Sequence, residues 1–415
     1  MVKQLDHVVI PAWNSVARIV EHRQDAALVK VERQTLFPPS KTQWLAMNQD
    51  MIIPVHSTPL PDAPDRISVH SPLSKHSVGR MISTTKAVQA GELVFSTPAF
   101  ATVLRQSYVK SHCHKCFRKL QGRIVQCAEC QFARYCHREC MATHLVLHDF
   151  QCALLSSLPT SVEDSDLVRL VLAVLAMEAA MQNPNVMAEL TTYPLKDVKE
   201  AQTYVQAASE IHKLLDHKPT WMTLTHIADV FRAVRFNAHP ILVDLSPSPL
   251  GLGLFPDAAK MVNHSCAPNT FPRFNPTTQS LEFHAMTPLA PGTLIVYSYL
   301  DVLGFALLQS KAARRAVLEK SFQFTCVCSR CLTPNEAEAP CESWLEELDQ
   351  AVKRQNWPVV MDRCKDLTTF WHDAGLPSDS PLMYVLAKKM ETAAMHLRLP
   401  FDSTVAERIR TICGF

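Results

Sequence analysis

The sequence predicts an α+β protein: a β-rich domain split by a cysteine-rich segment and a helical insert, then a short all-α lobe. Three observations carry that prediction. Short runs of β-branched and aromatic residues lie on both sides of the interruption, about forty residues in the middle hold paired metal-type ligands, and about the last eighty have helical periodicity.

At 415 residues the chain is long enough for two or three domains. Its 41 basic and 39 acidic side chains leave a formal charge of +2, which gives no electrostatic reason to expect nucleic acid or an anionic membrane. Met1 to Ile10 lack the apolar core of a signal peptide, and the most apolar run, Leu170 to Met177, is too short to span a bilayer. The expectation is a soluble intracellular protein, cytoplasmic and nuclear. In a reducing compartment its 14 cysteines point to metal rather than disulfides.

Residues 1–66 carry a weak pattern, with apolar alternation at Ala27 to Val31 and prolines from Pro54 to Pro64; they read as an extension and linker. Residues 67–112 have β texture at Met81 to Thr85 and Leu93 to Phe95, broken by a turn at Ala90-Gly91. Residues 113–152 contain Cys113-x2-Cys116, Cys127-x2-Cys130, Cys136-x3-Cys140 and His148-x3-Cys152. A two-residue gap lets both thiolates of a knuckle face one metal, and a three-residue gap on a helix puts both ligands on one side, so eight ligands make two tetrahedral zinc sites. His144 is spare and reads as a surface histidine.

Residues 153–236 read as helices over Leu167 to Met181, capped by Ser165 or Asp166, then Asp197 to Leu215 and Thr225 to Phe236. In residues 237–321 the β texture returns at Ile241 to Leu245, Leu252 to Phe255, Leu281 to Ala285 and Leu294 to Tyr299, with a turn at Pro291-Gly292. Segment 322–332 holds Cys326, Cys328 and Cys331, one ligand short of a tetrahedral site. The candidate fourth is Cys266, in Met261-Val262-Asn263-His264-Ser265-Cys266-Ala267-Pro268-Asn269. A candidate active-site stretch and a metal clamp would then share a loop. Residues 333–415 are helical at Glu342 to Gln355, Trp357 to His372, Pro381 to Leu397 and Asp402 to Ile412. Cys341, Cys364 and Cys413 are left over.

The order of the first eight ligands, with Tyr135 just before the fifth cysteine, resembles a MYND zinc finger. That resemblance implies interleaved sites, Cys113, Cys116, Cys136 and Cys140 on one zinc and Cys127, Cys130, His148 and Cys152 on the other. The chain has Leu145 where that family usually has Trp. Taken together, Gly79-Arg80, the inserted finger, Asn263 to Asn269, Tyr299-Leu300-Asp301 and Cys326-x-Cys328-x2-Cys331 resemble the SET and MYND domain (SMYD) protein lysine methyltransferases over about residues 67–332.

The resemblance implies a β-rich SET fold with a post-SET zinc clamp, three zincs in all, and S-adenosylmethionine as methyl donor to a lysine of a histone or non-histone protein. By the same resemblance Tyr299 is the active-site tyrosine, Gly79, Arg80, Asn237, Asn263, His264 and Phe324 contact the cofactor, and Tyr297 and Phe322 wall the lysine channel. A monomer is expected, with peptide partners for the finger. Three departures stand out: Met81 replaces the second glycine of the family's Gly-x-Gly, the stretch from Val302 to Ala313 is longer than in many relatives, and the helical-repeat lobe is shortened. The competing reading is a catalytically weak or inactive adaptor. DNA binding through Lys110, Lys115, Arg118, Lys119, Arg123, Arg134 and Arg138 is disfavoured, because no helix presents a base-reading row.

Overall fold

The computed structural model describes residues 7–10, 14–23, 28–33, 41–46, 53–59, 67–72, 79–155, 158, 162, 164–190, 192–215, 218–246, 248–301, 303, 305–333, 341–374 and 376–415. The chain divides into two compact units. One comprises Met1–Ser96, Met261–Arg273 and Glu282–Phe415, and the other Thr97–Lys260 and Phe274–Leu281.

The first unit opens with β1 (His7–Ile10), β2 (Ser15–Arg23), β3 (Leu28–Arg33), β4 (Lys41–Ala46), β5 (Ile53–Pro59), β6 (Ile67–Pro72) and β7 (Met81–Thr84). They form one antiparallel sheet of order β4-β3-β2-β1-β5-β6-β7. This corrects the reading of residues 1–66 as extension and linker, although Leu60 to Pro64 of the proline-rich stretch lie outside the described residues. The local pattern is weak because the strands depend on distant partners. Val16 N–H donates to Gly292 O at 2.8 Å, and Leu294 N–H to Asn14 O at 3.0 Å. Gly292 has φ +79°, and a Cβ there would come 3.2 Å from Val16 O, so the predicted Pro291-Gly292 turn needs glycine twice over. Val9, Met81, Leu294 and Val296 pack together in one buried cluster. β8 (Leu93–Pro98) follows the turn at Gly91.

The second unit contains β9 (Ala101–Leu104), a strand the sequence reading missed, then β10 (Val125–Gln126) and β11 (Arg134–Tyr135), the short hairpin of the cysteine-rich segment. Helices α1 (Arg138–Leu155), α2 (Ser165–Met181), α3 (Val198–Leu214) and α4 (Leu224–Asn237) come next, the last three near the predicted bounds. The cap of α2 is Asp164 rather than Ser165 or Asp166; its carboxylate accepts from the backbone N–H groups of Asp166 and Leu167. Asp166 is instead occupied with Arg169 and Arg105. From Leu167 to Ala176 every residue of α2 is buried, the signature of a central helix apolar all round. It packs against α1, α4, β9 and β12–β13's second strand, with β12 (Ala238–Ile241) and β13 (Gly251–Leu254) completing a sheet of order β12-β13-β9. β12 thus lies earlier than the predicted Ile241 to Leu245: His239 and Ile241 are its buried positions, and polar Asp244 is exposed beyond its end.

α5 (Pro256–Met261) leads into β14 (Asn263–His264), followed by β15 (Thr270–Asn275), also missed, β16 (Ser280–Ala285) and β17 (Val296–Tyr297). β8 pairs in a sheet of order β15-β16-β8. α6 (Lys311–Phe322) begins inside the long stretch after Asp301, of which residues 302 and 304 lie outside the described set. α7 (Ser329–Leu332), α8 (Cys341–Lys353), α9 (Trp357–Asp373), α10 (Pro381–Leu397) and α11 (Thr404–Ile412) finish the chain, the last four packing as successive neighbours. Leu386 and Trp371 are buried as packing residues. Among the described residues no helix is long and apolar enough to cross a membrane.

Candidate active site and metal centres

Two very short strands position the central loop. β14 lies parallel to β17, with Asn263 opposite Val296 and His264 opposite Tyr297. The predicted strand from Leu294 to Tyr299 is reduced to these two residues because Asn269 takes over the backbone groups around them. Its amide donates to Leu294 O at 2.7 Å while its oxygen accepts from Val296 N–H at 3.1 Å. Asn269 is buried, and this stitching role was not legible from its place in the motif.

At the other end of the loop, Asn263 Nδ2 donates to Arg80 O at 2.9 Å and ties the Gly79-Arg80 turn to it. A Cβ built on Gly79 would meet none of the described residues within 4 Å, so the backbone there faces open space among them. Met81 does not crowd it, since that side chain is 3% exposed in the cluster with Val9, Leu294 and Val296.

His264 is the pivot of the loop. Its Nδ1 accepts from Tyr299 N–H at 3.0 Å, which leaves the proton of the neutral ring on Nε2, 3.3 Å from Cys266 Sγ. Burial lowers its pKa to about 4, so the ring is neutral at physiological pH. Tyr299 OH donates to Val262 O at 2.9 Å. Around Tyr299 stand Tyr297, Phe322 and Phe324, with ring centroids at 5.0, 5.2 and 6.3 Å, and His264 at 5.4 Å. Tyr297 is buried, and its phenol is held well above its usual pKa by burial first and by Tyr299 second. Gln323, in the left-handed conformation at the end of α6, turns the chain so that Phe322 and Phe324 both join this group.

Asn237 lies in the second unit as the last residue of α4. Its amide donates to Ala233 O at 2.8 Å, and the chain passes into an extended Ala238, not through a left-handed asparagine.

The three metal-type ligand sets predicted from spacing and resemblance are each brought together. Ligand atoms of Cys266, Cys326, Cys328 and Cys331 lie within 4.8 Å of one another, as do those of Cys113, Cys116, Cys136 and Cys140 and those of Cys127, Cys130, His148 and Cys152. Zinc–sulfur bonds of about 2.3 Å in a tetrahedron require sulfurs about 3.8 Å apart. Cys266 Sγ is 3.9 Å from Cys326 Sγ and 3.6 Å from Cys331 Sγ, and Cys127 Sγ is 3.8 Å from Cys152 Sγ. The donor sets therefore fit three zincs. Around the clamp, Arg330 Nη1 donates to Leu307 O and Cys266 O, Arg315 to Cys326 O and Cys331 O, and Arg314 Nη2 to Cys331 Sγ. These cations offset the excess negative charge of four thiolates on one divalent metal. His144 is not a surface residue. It is half-buried and accepts from Tyr135 OH at 3.1 Å, and burial brings its pKa down to about 3.

A SET domain model matches residues 79–300. Proteins named N-lysine methyltransferase SMYD2 are similar to the chain. The one from Bos taurus is 27% identical over 70% of this chain and 65% of its own length, that from Gallus gallus 30% over 61% and 57%, and that from Homo sapiens 29% over 64% and 60%. The chain thus matches less than two thirds of the length of these relatives. With a family model covering more than half of its residues and the split, three-centred architecture in place, the chain belongs to the SET domain family, on its SMYD branch.

Proposed function

We propose that this protein is an S-adenosylmethionine-dependent protein-lysine N-methyltransferase acting on a lysine side chain of a protein substrate. The observation that carries the reading is the pair of contacts made by the loop, Asn263 to Arg80 O and His264 to Tyr299 N–H, which gather turn, loop and tyrosine around one aromatic group. When bound, the donor supplies an electrophilic methyl group on a sulfonium.

The residues present fit such a group. Open space at Gly79 leaves room for a close approach to its backbone, Asn263 holds the turn in place, and Phe324 offers an aromatic cover. The acceptor must be a neutral amine, and apolar surroundings favour the uncharged form of a lysine. Tyr297, Phe322 and Tyr299 supply those surroundings and exclude water. Because Tyr299 OH already donates to Val262 O, its oxygen lone pairs remain to accept from the target amine and orient it. His264 is given a positioning role: its imidazole links the Tyr299 backbone to Cys266 of the clamp, so that metal and tyrosine share one support.

On the finger, Leu145 and Val146 are exposed on α1, which supports a further role in holding a peptide partner.

Calorimetric titration of the zinc-loaded protein with S-adenosylmethionine and S-adenosylhomocysteine tests the reading, with Asn263→Ala as control. Saturable binding lost in the control is expected; no binding by a folded, zinc-replete protein would overturn it. Tyr299→Phe is expected to lower transfer on the order of 100- to 1,000-fold while donor affinity stays the same, as for the loss of one oriented hydroxyl in a dry site. Full activity in that variant would remove the role given to Tyr299.

A further inference from the structure

Within the second unit a cavity with about 30 Å³ of room for solvent lies where the finger meets β9 and α2. Among the described residues, three buried nitrogen atoms of its lining have no hydrogen-bond partner: His114 Nε2, His148 Nδ1 and Arg169 Nε. A buried polar group left unpaired is destabilising, and three among the residues lining one cavity point to a ligand there.

Two of these atoms are donors. His148 turns Nε2 towards Cys130 Sγ, 3.7 Å away in the metal-type cluster, so its Nδ1 carries the proton. His114 Nδ1 lies 3.0 Å from Arg134 N–H and 3.1 Å from Arg134 O, so its Nε2 donates or accepts according to the ring tautomer, and water can answer either. Arg169 uses its other N–H groups on Gln106 Oε1, Ser165 Oγ, Leu104 O and Asp166, which leaves Nε. The ligand must then offer acceptors. It must also be neutral: Asp166 is shared by Arg169 and the more exposed Arg105, and the nearby thiolate-rich metal sites carry excess negative charge that disfavours an anion. A water needs about 10–15 Å³ of such room, so the cavity takes about two.

We propose that this cavity binds about two water molecules that accept from His148 and Arg169, hydrogen-bond to His114, and form the outer shell of the zinc site built from Cys127, Cys130, His148 and Cys152. A metal-bound imidazole needs a partner on its second nitrogen to fix its orientation. Here that partner is solvent, which also joins the finger to α2 through Arg169.

The test is a high-resolution crystal structure of the zinc-loaded full chain, with a second crystal soaked in sodium bromide. Solvent density about 2.7–3.2 Å from His148 Nδ1 and from at least one of the other two nitrogens is expected, with no bromine anomalous peak. A dry cavity or a bromide ion in it overturns the proposal. In solution, Val109 lines the cavity, so Val109→Leu displaces solvent while Val109→Ala leaves it room. Release of one finger zinc to a chelator is expected to quicken about 10-fold in Val109→Leu and to stay near the parent rate in Val109→Ala. Equal release from both variants would count against the hydrated shell.

Discussion

The finger and the clamp solve one chemical problem in opposite ways. In the finger, eight ligands lie between Cys113 and Cys152, and a two-residue-strand hairpin with one helix brings them together. In the clamp, Cys266 must meet three cysteines some 60 residues later, with α6 and three arginines holding the parts in register. A local site is set by spacing and can form by itself. A distant one is set by the tertiary structure, so its metal can report on that structure and reinforce it.

The sharpest way to break this comparison is to remove one ligand from each. Cys266→Ser is expected to lose one zinc of three and to lower methyl transfer on the order of 100-fold or more, because the support shared with Tyr299 through His264 goes with it. Cys127→Ser is expected also to lose one zinc while S-adenosylmethionine binding by the rest of the chain persists. Metal analysis and donor titration on both variants decide the matter; equal loss of donor binding would mean that the two centres are not independent.

A smaller separation comes from pH. His239, in the second unit, is buried and has its pKa brought down to about 4 by burial. The unfolded chain, near pKa 6.5, takes up the proton first, so this contribution is complete above about pH 6.5 and is lost as pH falls towards 4. At about 1.4 kcal/mol per unit, roughly 2 kcal/mol should be gone by pH 5. Denaturation of the parent and His239→Phe proteins at pH 7 and pH 5 checks this, the variant being expected to lose less on acidification. The mildest probe is Asp164→Ala, expected to cost about 1 kcal/mol through the lost cap of α2 and to leave clamp zinc untouched.

The same contrast explains what could be read in advance. The finger ligands were legible because helix and knuckle spacing alone orients them. The clamp was legible only as three cysteines in need of a fourth, and its arginine support was not, since Arg314, Arg315 and Arg330 act through carbonyls and sulfur brought near by folding. The place of Met81, which replaces a glycine of the family's motif, was not legible because a sequence does not say which way a strand residue points; its burial with Val9 depends on a strand more than 70 residues earlier. The first five strands were missed for a related reason. The start of β2 is anchored to Gly292 and to Leu294, the latter 280 residues from Asn14, and Pro54 and Pro59 mask the alternation of β5. The helices of the last lobe, whose contacts are between successive neighbours, fell close to their predicted bounds.

The separation of Cys266 from Cys331 also sets an order in time. On the ribosome the finger's last ligand, Cys152, is made about 180 residues before Cys331, for which the clamp must wait. At ~5–20 residues per second that delay is roughly 10–40 s. Throughout it the finger can be metallated and folded while the stretch carrying Asn263 and His264 has no clamp to close on it. A nascent chain can therefore recruit its first zincs long before this loop and the clamp can meet.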